Sequence, residues 1–339
     1  MGEKNRSEIK TKLFETHDQI SRERLLAREQ KVKFFNNTKE RWFKIKNLDI
    51  DINLLHGSKV SFKVGKNQHD LRLNLMMDKY DKRDFKIENT FEISESLPMV
   101  VNHTDMMSPV KDQGSLGSCV GFAVTAMKEY QEKIEHEKEL AEGKKYERPK
   151  DYDLSEAWVY WNSKKIDPWP DEEGTSIRCA MQVLHKIGVP CEKAYPYSDQ
   201  YKGSPESWAK LIAKWGLIDS YWRCSNLNDL KVGLNDSPVV IGVGVFREWF
   251  DNTFTPFPGV IKYPANTAEV LGGHAICCVG YNDNTKLIKF KNSWSKGWGD
   301  DGYGYLSYEY INDFMWDAWC TKDLQVTRKI LQERAADNL

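Results

Sequence analysis

Hydrophobic and polar positions change their period several times along this chain. From Ser7 to about Phe35 there is no glycine or proline, and Ile9, Leu13 and Ile20 fall at roughly helical spacing among charged residues. That pattern predicts a largely solvated helix. Phe43, Ile45, Val60, Phe62, Val64, Leu71, Leu73 and Leu75 then alternate with polar residues in short runs broken at His56-Gly57 and Gly65-Lys66-Asn67. The alternation predicts three short strands joined by turns. Residues 79–96 are charged and without period, a connector leading into Leu97-Pro98. The helical period returns in 118–141, 153–165 and 174–187, with Gly188 as a stop signal. After residue 237 the runs turn β-like: PVVIGVGV, HAICCVGY, LIKFKNSW and GYGYLSYEYI. Helices first and antiparallel-type strands later predict an α+β fold, with a helical lobe, a β lobe and a cleft between them. Residues 1–97 are expected as an N-terminal extension of helix plus short strands, and 98–339 as the main domain.

Composition narrows the function. Of 339 residues, 40% are hydrophobic and 12% aromatic, enough for a sizeable core. Lys plus Arg number 49 against 50 Asp plus Glu, so the broad basic face of a nucleic-acid binder is not expected. Residues 1–50 carry a local excess of five positive charges, read as a solvated face. No run of 18 apolar residues occurs and the mean hydropathy is −0.64, so no membrane-spanning helix is expected. The first residues lack the apolar core of a secretory signal. Seven scattered cysteines without C-x-x-C spacing predict reduced thiols, a cytoplasmic setting, and neither a metal site nor a cofactor. Cys277 and Cys278, adjacent on a predicted strand, point to opposite faces and belong to the core.

One segment reads as chemistry. In Ser108-Pro-Val-Lys-Asp-Gln113-Gly-Ser-Leu-Gly-Ser-Cys119, two glycines shape a loop and the cysteine opens a long helix. A thiol at a helix N-terminus lies near the positive end of the dipole, which lowers its pKa and makes it a nucleophile. Its own N–H and a side-chain N–H from Gln113, swung to the same point, form a pair of oxyanion donors. His274, preceded by Gly272-Gly273 at the head of an apolar strand, is the candidate base. Asn292, in Asn-Ser-Trp294, is the candidate orienter of the imidazole, with Trp294 shielding the bond between them. His103 reads as loosely placed and His185 as a satisfied helical histidine.

Together these segments resemble the papain-like cysteine peptidases: the Gln-Gly…Gly-Ser-Cys loop, the Gly-His-Ala strand, and Asn-Ser-Trp…Gly-Trp-Gly…Gly-Tyr-Gly-Tyr, in order over roughly residues 98–320. Leu154-Ser-Glu156, Asp171-Glu-Glu-Gly174-Thr-Ser and Tyr195-Pro-Tyr197 are further matches. The resemblance implies a two-lobe papain-like fold, Cys119 as nucleophile, His274 as general base then acid, Asn292 as orienter and Gln113 as oxyanion donor. It further implies that Gly174, Thr175 and Gly273 bind substrate backbone, and that peptide bonds of a peptide or protein substrate are hydrolysed through a Cys119 thiolate–His274 imidazolium pair and a thioester acyl-enzyme. Acyl transfer through the same thioester, and a non-catalytic scaffold of this fold, are the rival readings. Leu116 stands where secreted members carry a cysteine and Val120 where Trp is common, so the pattern resembles the disulfide-poor, bacterial-type branch with bleomycin hydrolase. The helical motif of inhibitory propeptides is matched only in fragments such as Phe34 and Asn37. The first 97 residues are therefore read as either a removable propeptide or a permanent domain. Oligomeric state is not legible.

Overall fold

Serine caps decide where several of the helices begin. The structure, a computed structural model, describes residues 59–64, 67–78, 81–86, 97–143, 152–250, 258–265, 268 and 270–323. The helix expected over 7–35 and the strand positions Phe43 and Ile45 lie outside these residues. Helices α1 (Cys119–Ala141), α2 (Glu156–Lys164) and α3 (Ile177–Lys186) form where the helical period falls. The last two start slightly later than the period alone suggests. Ser155 Oγ accepts from Trp158 N, and Ser176 Oγ accepts from Cys179 N, so each serine satisfies an orphan first-turn donor. Gly188, at φ +73°, turns the chain out of α3, and a β-carbon there would stand 1.9 Å from Ala213 O. Two further helices follow, α4 (Ala209–Ala213) and α5 (Leu227–Asp236).

The β half is a seven-stranded antiparallel sheet. Its strands are β3 (Val100–Asn102), β4 (Ile218–Arg223), β5 (Val239–Val245), β6 (Gly272–Asn282), β7 (Leu287–Lys291), β8 (Tyr303–Ser307) and β9 (Met315–Asp323). The order is β4-β9-β5-β6-β7-β8, with β3 also paired to β6. Two points correct the sequence reading. Tyr308–Phe314, partly read as strand, is helix α6, because Ser307 Oγ caps it through Tyr310 N. Strands β4 and β9, whose periods are weak, were not foreseen.

Strand β6 separates two cores by its period of two. Ala275, Cys277 and Val279 face the helices and pack with Val124, Met127 and Val159, whereas Ile276 and Cys278 pack with Ile241, Phe290 and Trp249. Where the lobes meet, Lys111 Nζ lies 3.0 Å from Glu129 Oε1, 2.6 Å from Glu156 Oε1 and 2.6 Å from Asp153 Oδ1. Ser108 Oγ donates to the same Glu129 and accepts from Lys291 Nζ at 2.8 Å. This buried cluster ties α1 and α2 to the end of β7. Among the described residues no helix is long and apolar enough to cross a membrane, and no group of His, Cys, Asp and Glu is arranged to hold a metal.

Before the main domain, β1 (Lys59–Val64) and β2 (Asn67–Arg72) form an antiparallel hairpin. β2 begins at Asn67, inside the expected turn, and ends at Arg72. Leu73 and Leu75, expected in a strand of this small module, instead leave it and enter the cleft.

Candidate active site

Cys119 is the first residue of α1. Gly114 makes the preceding loop possible: at φ +59° it packs on Asp199, where a β-carbon would lie 2.1 Å from Oδ2. Ser118, the N-cap residue, makes no side-chain cap; its Oγ instead bonds Tyr197 Oη at 2.6 Å, leaving the first-turn N–H groups of α1 for other work. From the β lobe, His274 is the third residue of β6 and Asn292 follows β7. The amide of Ala275, next to His274, donates to Cys119 Sγ at 3.5 Å, so thiol and imidazole come from adjoining points across the lobe boundary.

The hydrogen bonds assign the tautomer. His274 Nε2 lies 2.8 Å from Asn292 Oδ1, and that same oxygen accepts from Ser293 N at 2.8 Å. An oxygen accepting from a backbone N–H is an acceptor, so neutral His274 carries its proton on Nε2. Nδ1 is left with a lone pair and is buried without another hydrogen-bond partner. Trp294 stacks on the ring, centroids 4.5 Å apart at 26°, and Trp249 meets it edge-on at 6.0 Å. The shielding expected of Trp294 is therefore present.

Protonation departs from the sequence expectation. Burial pushes the Cys119 thiol up to about 11, although the N–H groups of Ala275, Val120 and Cys119 itself oppose that shift. Burial also pushes His274 down to about 4 against the opposing bond from Asn292. Both side chains are fully buried. Desolvation outweighs the helix terminus here, and the pair rests as neutral thiol and neutral imidazole.

Gln113 does not swing freely. Its Oε1 accepts from Ser293 Oγ at 2.7 Å, its backbone N donates to Ser293 O at 2.9 Å, and its Nε2 donates to Leu116 O at 3.0 Å. One amide hydrogen remains uncommitted on a carboxamide whose orientation is set. Ser293 was missed by sequence reasoning because its role depends on a partner 180 residues away.

A segment from before the main domain also packs into the cleft. Leu75 N donates to Gly273 O at 3.1 Å, Gly273 N donates to Leu73 O at 3.3 Å, and Met76 N donates to Thr175 O at 3.1 Å. Asn74 forms a parallel bridge with Gly273. It also covers Gly174, where a β-carbon at φ +89° would stand 1.8 Å from Asn74 O. Residues 73–76, each at most 3% exposed, thus lie between the two lobes on all three backbone positions expected to bind substrate. A charged anchor follows. Asp78 Oδ2 accepts from Arg178 N at 2.9 Å, and Asp84 pairs with Arg178 at 2.5 Å and Arg223 at 3.4 Å. The leucine alternation of this strap resembled an ordinary strand, so its destination was illegible.

Other histidines also correct the reading. His103 is not loose: Tyr130 Oη bonds Nδ1 and Leu234 O bonds Nε2, both at 2.7 Å. His185 Nδ1 has no hydrogen-bond partner, and its ring rests edge-on against Tyr221.

Comparison with known proteins places this geometry. An uncharacterized peptidase C1-like protein of Acanthamoeba polyphaga mimivirus is 28% identical over 214 residues, 60% of this chain, and the match spans 65% of that relative's own length. Cysteine proteinase 3 of Dictyostelium discoideum is 27% identical over 250 residues, covering 71% of this chain and 68% of its own. Among solved structures, xylellain, a cysteine protease from Xylella fastidiosa, is similar at a TM-score of 0.61 and 29% identity, covering 74% of this chain and 95% of that one. The fold of digestive procathepsin L 3 from Tenebrio molitor larval midgut is similar at a TM-score of 0.54 and 19% identity, over 92% of this chain and 98% of that one. The sequence model of the papain family of cysteine proteases matches residues 97–315. With helical lobe, antiparallel lobe and intervening cleft in place, the chain belongs to the papain family.

Proposed function

We propose that the protein is a cysteine peptidase that hydrolyses peptide bonds of a peptide or protein substrate, held closed here by its own residues 73–78 and 81–86. The observation that carries the reading is the Nε2–H bond to Asn292, which reserves the Nδ1 lone pair for a thiol one residue from His274. His274 Nδ1 takes the Cys119 proton and Sγ attacks the carbonyl carbon. The N–H of Cys119 and the remaining N–H of Gln113 stabilise the oxyanion. As the C–N bond breaks, His274 returns the proton to the leaving amine. Water, deprotonated by the same nitrogen, then cleaves the thioester. Gly174, Thr175 and Gly273 hold substrate backbone once the strap leaves.

Residues 1–97 act in this reading as an inhibitory segment. The cytoplasmic setting and the kinship with the bleomycin-hydrolase-like branch belong to the same proposal; Leu116 in place of a cysteine and seven free cysteines favour it.

The test is a set of three proteins assayed on a peptide panel. Cys119→Ala should abolish turnover while keeping the thermal transition. Leu73→Ala, which loosens the strap, should raise turnover above the unmodified chain and speed alkylation of Cys119. Equal hydrolysis by the Cys119→Ala protein sinks the assignment.

A further inference from the structure

A tyrosine of the helical lobe ties down the turn that faces the cleft. Gly174 N donates to Tyr160 Oη at 3.2 Å, so this amide is met by a side chain of α2 rather than by a carbonyl of its own turn. Tyr160 is 1% exposed, and burial above all pushes its phenol beyond the usual range, so the hydroxyl stays neutral. Helix contact places the ring. At Gly121 of α1 a β-carbon would stand 2.9 Å from Glu156 O and 3.3 Å from Tyr160 Cβ, so the missing side chain lets α2 close on α1 just after Cys119. Trp161 meets the Tyr160 ring edge-on at 4.8 Å. A continuous set of contacts therefore runs from the helix of the nucleophile, through Tyr160, to the turn.

Other ties on this turn come from outside the main domain. Glu173 pairs with Arg72 at 2.8 Å, and Thr175 O accepts from Met76 N at 3.1 Å. Arg72 and Met76 both belong to the segment ahead of the main domain, and both bonds end when that segment leaves the cleft. The bond from Gly174 to Tyr160 lies wholly within the helical lobe and persists. All seven cysteines are free, so no disulfide does the same work. Gly174 itself, at φ +89°, adds little stiffness to the backbone. A turn that had to be ordered by each arriving substrate would lose binding free energy to that ordering.

We infer that Tyr160 is a positioning residue for substrate: by fixing the amide of Gly174 it holds the Thr175 carbonyl where it can accept from a substrate backbone N–H, as it accepts from Met76 N in the closed protein. Tyr160 touches no reacting atom. The substrate backbone is held alike before and during attack, so loss of the tie weakens binding and leaves the chemical step intact. The inference rests on the peptidase reading and deepens it by separating the atoms of the turn. Gly174 N is committed to Tyr160, and Thr175 O is the acceptor offered to substrate.

The experiment compares the full Leu73→Ala chain with the same chain carrying Tyr160→Phe, which removes one oxygen and keeps the ring. KM for a cleaved peptide should rise roughly three- to tenfold, with kcat within about twofold. Alkylation of Cys119 supplies a second readout. A peptidyl chloromethyl ketone should react more slowly by a similar factor, while iodoacetamide, which has no peptide backbone to dock, should react at an unchanged rate. A KM that does not move, or equal slowing by both reagents, overturns the inference. Should the Leu73→Ala chain cleave no peptide, the peptidase reading fails separately, and the strap then serves as the bound backbone. Tyr160→Phe in the otherwise unmodified chain should speed amide exchange at Met76, and unchanged exchange overturns the inference. Where Tyr160→Phe does not fold, exchange in the Leu73→Ala chain decides: a Gly174 amide still protected while Met76 exchanges faster supports the inference, and loss of protection at both overturns it.

Discussion

At the scale of single residues, the site depends less on reactive groups than on what holds them. Asn292 Oδ1 takes two donors, one from His274 and one from the backbone of Ser293, so it cannot turn without losing both. Gln113, the proposed oxyanion donor, is fixed the same way, through Ser293 Oγ on its Oε1. Removing the donor outright, as Gln113→Ala, should cost about 3 kcal/mol of transition-state stabilisation, roughly a hundredfold in kcat. Ser293→Ala leaves the donor but frees its orientation. It should lower kcat by about tenfold with KM little changed, because the oxyanion exists only after attack. Steady-state kinetics of the strap-loosened protein separate the two. A Ser293→Ala protein as impaired as Gln113→Ala would mean that the serine does more than orient the carboxamide.

At the scale of the element, the strap packs beside two buried groups whose proton affinities depart in opposite directions, His274 and Asp317. Covered, His274 lies near 4, below the ordinary imidazole value. Its contribution to the stability of the folded, closed protein against the unfolded chain is therefore complete above about pH 6.5 and lost as pH falls from 6.5 towards 4, on the order of 3 kcal/mol in all. Asp317, raised to about 8, acts with the reverse sign: its contribution is complete below about pH 4 and lost as pH rises from 4 towards 8. Between pH 4 and 6.5 the two slopes oppose each other. Closure of the native strap should then vary little across that range. In Asp317→Asn the histidine acts unopposed, and the strap should open as the solution is acidified. Amide exchange at residues 73–76 and the alkylation rate of Cys119, followed over this range, check both statements; a variant as flat as the native protein would contradict them.

At the scale of the whole molecule, the lobes are joined by charge as well as by core. Lys111 neutralises Glu129 and Glu156 together, and burial raises Glu156 to about 8 even so. A buried carboxylate stripped of its cation is strongly destabilising. Lys111→Met should therefore cost about 3–5 kcal/mol in chemical denaturation, more than a solvated ion pair could explain. Replacing Lys111, Glu129 and Glu156 together with apolar residues of similar volume should recover most of that loss. The cluster also fixes the end of β7 through Lys291 and Ser108, one residue before Asn292. Loss of the lysine is accordingly expected to lower kcat before it unfolds the chain.

The sequence by itself determined the helical and β halves and the positions of α1, α2 and α3, though not of α4, α5 or α6, and it singled out Gln113, Cys119, His274 and Asn292 as candidates. These were legible because period and capping are local and because the motifs carrying the site are short. Gly174, Thr175 and Gly273 were legible only through resemblance, and β4 and β9 were not foreseen, since their strand character depends on neighbours in the sheet. Tertiary structure alone decided the rest. Leu73 and Leu75 alternate as in any strand, and nothing local says that they close a cleft formed by residues a hundred and two hundred positions away. Protonation followed the same rule: a helix start argues for a thiolate, but desolvation is a property of everything packed around the sulfur, and here that burial is the larger effect.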